Sequence, residues 1–118
     1  MIRTYKDLKV YSKSYELCLS MYQQVKMFPE DERFGLISQI KRASSSIPLN
    51  IAEGYGKRSS VLEFKRFLSM ALGSCNEMEV LLSLSKDLGF MSLDMFEKLS
   101  EAYEEVAKML STLIARWK

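Results

Sequence analysis

The groups in this 118-residue chain that could do chemistry are 15 carboxylates, 17 cations, two cysteines and no histidine at all. The missing histidine removes Ser-His-Asp and Cys-His nucleophilic catalysis, histidine-ligated zinc and the Glu-x-x-His motif of di-iron bundles. Glu53, Glu63, Glu77 and Glu79 offer oxygen ligands of the kind that hold magnesium or manganese. Solvated or ion-paired glutamates are the simpler reading, so neither a metal nor any other cofactor is expected. A catalytic carboxylate pair would have no recognisable nucleophile beside it. Gly54-Tyr-Gly56-Lys57-Arg58 lacks the spacing of a phosphate-binding loop. The chain is therefore not expected to be an enzyme. Cys18 and Cys75 match neither a redox nor a zinc spacing and read as small buried hydrophobes.

The cations are unevenly spread. Arg3, Lys6 and Lys9 cluster near the start, and Lys57, Arg58, Lys65 and Arg66 form a second group. If both groups fall at one end of the fold, they make a basic rim for the phosphates of RNA or DNA, with Tyr5, Tyr11 and Tyr55 as stacking faces. An ordinary solvated rim balanced by Asp7 and Glu63 is the alternative. Arg42, Asn50, Glu53 and Glu77 are polar groups on or beside apolar stripes. They are expected to form a structural polar network, because a partly buried charge needs a partner.

These groups must be carried by helices. The apolar fraction of 47% with only two prolines fits a packed single domain. A net charge of +2 does not by itself announce a nucleic-acid partner. The first residues lack the apolar core of a signal peptide and no run is long enough to span a membrane, so a cytoplasmic protein with no membrane partner is expected.

Four helices follow from the period, over about 6–27, 31–56, 61–88 and 93–117. In the first, Leu8, Tyr11, Tyr15, Cys18, Tyr22 and Val25 recur at heptad steps. In the second, Leu36, Ile40, Ala43, Ile47, Asn50 or Ile51, and Gly54 make the stripe. Pro48 lies inside it, where the missing N–H predicts a kink. Ser60-Val-Leu-Glu63 spells a capping box before the third helix, and Ser92 caps the fourth. Phe96, Leu99, Tyr103, Val106, Leu110, Leu113 and Trp117 form the seam of that last helix. The fold class is all-α, an antiparallel up-down-up-down four-helix bundle, with a two-long-hairpin arrangement as the minor alternative. The third helix carries a surplus apolar set that includes Phe67, Met70, Leu81 and Leu84. This set fills either a generous core or a subunit interface.

The residues also form a distinctive string. Tyr5-Lys-Asp-Leu8-Lys-Val-Tyr11 is followed by Phe28-Pro29 and Gly35-Leu36, then by Gln39-Ile-Lys-Arg42-Ala43-Ser-Ser-Ser-Ile47-Pro48-Leu-Asn50-Ile51-Ala52-Glu53-Gly54. Glu63-Phe64, Phe67-Leu68 and Ala71-Leu-Gly73-Ser74-Cys-Asn-Glu77-Met-Glu79 continue it. Over nearly its whole length the chain resembles the bacterial four-helix-bundle proteins encoded within intervening sequences of 23S ribosomal RNA genes. The resemblance implies an antiparallel bundle and a homopentameric ring. Relatives among the accessory proteins of diversity-generating retroelements are strongly basic and bind nucleic acid; the +2 of this chain departs from them. Two functions are carried forward: a ring-forming bundle that binds RNA or DNA weakly, and an assembly scaffold whose partner is another protein.

Overall fold

The computed structural model describes residues 1–118. Four α-helices run over Lys9–Gln24 (α1), Leu36–Gly56 (α2), Val61–Asp87 (α3) and Leu93–Arg116 (α4), with no strand. Pairs across the bundle fix their directions. Cys18 reaches Ser44 while Tyr22 meets Lys41; Ser46 bonds Ser74 while Gly54 meets Phe67; Ser100 bonds Glu79 while Trp117 meets Phe64. Each rising number pairs with a falling one, so successive helices run in opposite senses. The molecule measures 44 × 25 × 20 Å, as expected for a bundle whose longest helix, α3, rises about 1.5 Å per residue.

The first two helices are shorter than their periodicity suggests. Tyr5–Asp7 forms a separate 3-10 turn. Thr4 accepts from the Lys6 N–H, and the Asp7 carboxylate returns to the N–H groups of Arg3 and Thr4. Leu8 is extended, and the α-helix starts only after it. Val25–Met27 tightens into another 3-10 turn before Phe28-Pro29, because the residue before proline avoids the α region. Glu30–Glu32 makes a third such turn, so α2 starts at Leu36, not near Asp31.

α2 then continues through Pro48 without a break. Ser45 and Ser46 donate to carbonyls one turn back, and the Asn50 amide donates to the Ser46 carbonyl at 2.8 Å. Gly54 lies against α3 so closely that a Cβ there would stand 2.7 Å from the Cβ of Phe67. Ser60 caps α3 by accepting from the Glu63 N–H, yet Glu63 does not return the bond, because its carboxylate is held by Arg66. Gly89, at φ +83°, ends the α3–α4 connection's first turn, where a side chain would be strained.

One hydrophobic core joins all four helices. The α4 seam is as expected, with Leu99, Tyr103, Val106 and Leu110 buried. On α1 the expected seam is rotated. Val10, Ser14, Leu17 and Met21 face the core; of the expected seam, Leu8 and Val25, which flank the helix, are buried, Tyr11 and Cys18 are half-buried, and Tyr15 and Tyr22 are exposed. Two stripes with the same 3-4 spacing run side by side on this helix, and tyrosine hydroxyls favour the one that reaches water. The surplus set on α3 divides as well. Phe67 and Leu81, at 6% and 5% exposure, belong to the chain's own interior and cannot serve an interface, whereas Met70 and Leu84 are 46% and 45% exposed. No helix is long and apolar enough to cross a membrane.

Candidate nucleic-acid interface

The antiparallel register brings both basic groups to one end of the bundle. The turn at Tyr5–Asp7 packs beside the last turn of α2, and the groove beneath Leu8 and Lys9 is lined by Leu113 and Arg116 of α4. The Phe64 ring meets Trp117 edge-on at 4.7 Å and Tyr55 at 6.2 Å, tying the start of α3 to the ends of α4 and α2. Arg3, Lys6, Lys9, Lys57, Arg58, Lys65 and Arg66 therefore share this end, joined by Arg116 and Lys118. Sequence reasoning missed those last two, although an up-down bundle necessarily returns the C-terminus of α4 to the start of α1.

Counterions on this end are scarce. Asp7, Glu53 and Glu63 are acidic there, and Glu16 and Glu105 line the same grooves as Lys6 and as Lys9 and Arg116, so nine of the 17 basic residues meet five of the 15 acidic ones. The Asp7 carboxylate is occupied by backbone N–H groups. Glu63 takes Arg66 through two bonds, at 2.9 and 3.2 Å. This hydrogen bonding holds the Glu63 carboxyl below its ordinary range and raises the Arg66 guanidinium. Of the nine cations, Arg66 alone has a carboxylate within 4 Å.

Aromatic rings position several of the others. The Arg58 guanidinium lies 4.1 Å over the Tyr55 ring and donates to the Tyr55 carbonyl at 3.0 Å. Lys57 and Arg66 lie 5.3 and 4.7 Å over the ring of Phe67. A buried aromatic base beneath an exposed cation orients the charge outward at little cost in pairing. Tyr5 and Tyr11 meet edge-on at 4.8 Å, and Tyr11 stacks on Tyr15 at 5.9 Å, which extends an aromatic row up α1. Burial and the neighbouring tyrosines raise the Tyr11 hydroxyl's pKa.

The expected polar network is only partly assembled. Arg42 pairs with Glu77 across α2 and α3. Asn50 bonds within its own helix, and Glu53 is exposed without a hydrogen bond. The four glutamates considered as metal ligands do not converge: Glu63 goes to Arg66, Glu77 to Arg42 and Glu79 to Ser100. Inside the core, burial pushes the Cys75 thiol up to about 12, and Tyr103 keeps a hydroxyl with no hydrogen-bond partner. The outer face of α4 is acidic, with Glu97, Glu101, Glu104 and Glu105 around a shallow depression.

The comparisons with known proteins agree with this architecture. A solved structure of a protein of unknown function from the S23 ribosomal protein family of Bacteroides thetaiotaomicron superposes with a TM-score of 0.81. It is 28% identical, and the match covers 89% of this chain and 97% of that one. No curated protein matches the chain. The model of the 23S rRNA-intervening sequence protein family matches residues 6–112. This chain belongs to the 23S rRNA-intervening sequence protein family.

Proposed function

We propose that the protein is a non-enzymatic bundle that assembles with copies of itself into a ring and binds RNA or DNA through its basic end. The observation that carries this reading is the segregation of charge. A net charge of +2 conceals an end where eight cations have no carboxylate within 4 Å and a remainder in which ten acidic residues outnumber eight basic ones. A polyanion approaching the basic end meets cations free to displace its counterions, while the acidic face of α4 turns it away.

Assembly multiplies a weak site. The outer stripe of α3 carries Met70, Val80 and Leu84 and is continued by Leu88 just past its end, all exposed, with exposed Leu49 on the neighbouring face of α2. Exposed apolar side chains along one face, here on either side of the Glu77–Arg42 ion pair, are costly to leave in water and favour an interface. In a closed ring, five copies by the family resemblance, the basic ends stand side by side, and linked weak contacts gain avidity without any new one. The same stripe also supports the second reading, a scaffold whose partner is another protein.

Fluorescence anisotropy of a labelled structured RNA, titrated at low and at physiological salt, separates the two. The first reading expects binding that weakens steeply with salt and is abolished when Lys57, Arg58 and Lys65 are replaced by glutamate. No binding at low salt, or full affinity in the reversed variant, removes it and leaves the scaffold.

A further inference from the structure

We infer that the basic end takes single-stranded nucleic acid in particular, with Tyr5, Tyr11 and Tyr15 as the surface on which its bases stack. The inference rests on the function proposed above and names the form of nucleic acid that this end selects.

Tyr5 and Tyr11 pack against the core, but nothing in the core requires the exposed Tyr15 beside them. The inward stripe of α1 is already filled by Val10, Ser14, Leu17 and Met21. The tyrosines stand on the adjacent stripe, where Tyr5 and Tyr11 pack partly against the core and Tyr15 faces solvent. Their arrangement is nonetheless ordered. The Tyr5 ring stands edge-on to Tyr11, and Tyr11 and Tyr15 lie within 30° of parallel. Tyr5 and Tyr11 are half-buried, which anchors one edge of each ring on the core, and Tyr15 is 48% exposed. Between them lies a shallow groove of about 530 Å³, with Lys6, Ser12 and Glu16 completing its wall. The row begins at the cationic end and runs away from it, so a strand whose phosphates lie along Arg3 and Lys6 can lay its bases on the rings.

The geometry selects among nucleic acids. In a duplex the base faces are stacked on one another, and a protein reaches only phosphates, sugars and base edges. An aromatic row has nothing to stack against there. In a single strand the base faces are free, and stacking on aromatic side chains combined with a basic groove is the general mode of recognition without sequence preference. A protein surface laid over the same row would also cover the rings. It would then have to desolvate Arg3 and Lys6, neither of which has a carboxylate within 4 Å. A polyanion supplies the missing charge, and this complementarity favours the strand.

The test uses the full-length protein and three labelled probes of equal length at low salt: oligo(dT), the matching abasic deoxyribose-phosphate strand, and a DNA duplex. The abasic strand has the charge without the bases. Oligo(dT) is expected to bind most tightly. Tyr15→Ala, at an exposed position, is expected to weaken oligo(dT) about 10-fold while leaving the abasic strand unchanged, and Tyr15→Phe is expected to restore the loss. Equal affinity for oligo(dT) and the abasic strand overturns the inference, as does a duplex bound as tightly as oligo(dT). An unchanged oligo(dT) affinity in Tyr15→Ala also overturns it. A fall in assembled mass in that variant, read by light scattering, would assign the row to contacts between copies and overturn it too. These results leave the basic end intact, whereas failure of all three probes to bind removes the basic-end reading itself.

Discussion

Glu79 is the carboxylate that the fold draws furthest from water on α3. The Ser100 hydroxyl donates to its Oε2 at 2.8 Å, while Oε1 is buried without a partner. Burial raises its pKa most; the Ser100 bond opposes the shift and nearby Glu104 adds to it. Because the folded state holds this proton more tightly than the unfolded state, the contribution to stability is full below the ordinary carboxyl pKa. It is lost as pH rises through the raised folded value. Glu79→Gln, which retains an acceptor for Ser100, is therefore expected to melt above the wild type at neutral pH, with the difference shrinking under acidic conditions. Equal differences at both pH values, by thermal melts, would show that the charge of Glu79 is not the cause. No pattern in the sequence marks this site. Glu79 sits among ordinary helix-surface acids, and its burial arises only when α4 packs against α3.

Two glycines test the packing of the elements. Gly54 is the point of closest approach between α2 and α3, and any Cβ there meets Phe67 and Phe64. Gly54→Ala is expected to cost about 1–3 kcal/mol, read as a shift in the denaturation midpoint at unchanged slope. Gly73 is the opposite case. It lies exposed in the middle of α3 with nothing near the position of its Cβ, and it stands on the same face as Met70, Val80 and Leu84. Gly73→Ala is expected to stabilise the isolated chain by about 0.5–1 kcal/mol. Under assembling conditions it is expected to weaken association, because the glycine lets another helix approach closely. An alanine variant that assembles like the wild type would remove Gly73 from the contact.

At the scale of the whole molecule, the bundle is a carrier of separated charge. Its ends differ because the starts of α1 and α3 share one end with the terminus of α4, and that end collects the cations. Static light scattering at micromolar concentration is expected to give a mass well above the 13.6 kDa of one chain, five-fold for the ring the family resemblance implies. Replacing Met70 and Leu84 together by aspartate is expected to return the mass to that of one chain. A wild-type mass of one chain sinks the ring.

Much of the architecture is legible in the sequence. The number of helices, their ends at Gly56 and near Leu88, and the cap at Ser92 follow from period and local chemistry, which act over three or four residues. The basic end was legible too, because an up-down order alone dictates which termini meet. The face that α1 turns inward was not. Its tyrosine stripe and its Val10–Leu17–Met21 stripe have the same period, and the choice between them depends on what the other three helices offer to fill. The same holds on α3, where one apolar arc divides into Phe67 and Leu81 inside and Met70 and Leu84 outside. Local spacing is a property of one helix, whereas burial is a property of four helices packed together, and it is burial that left the tyrosines and the cations facing solvent.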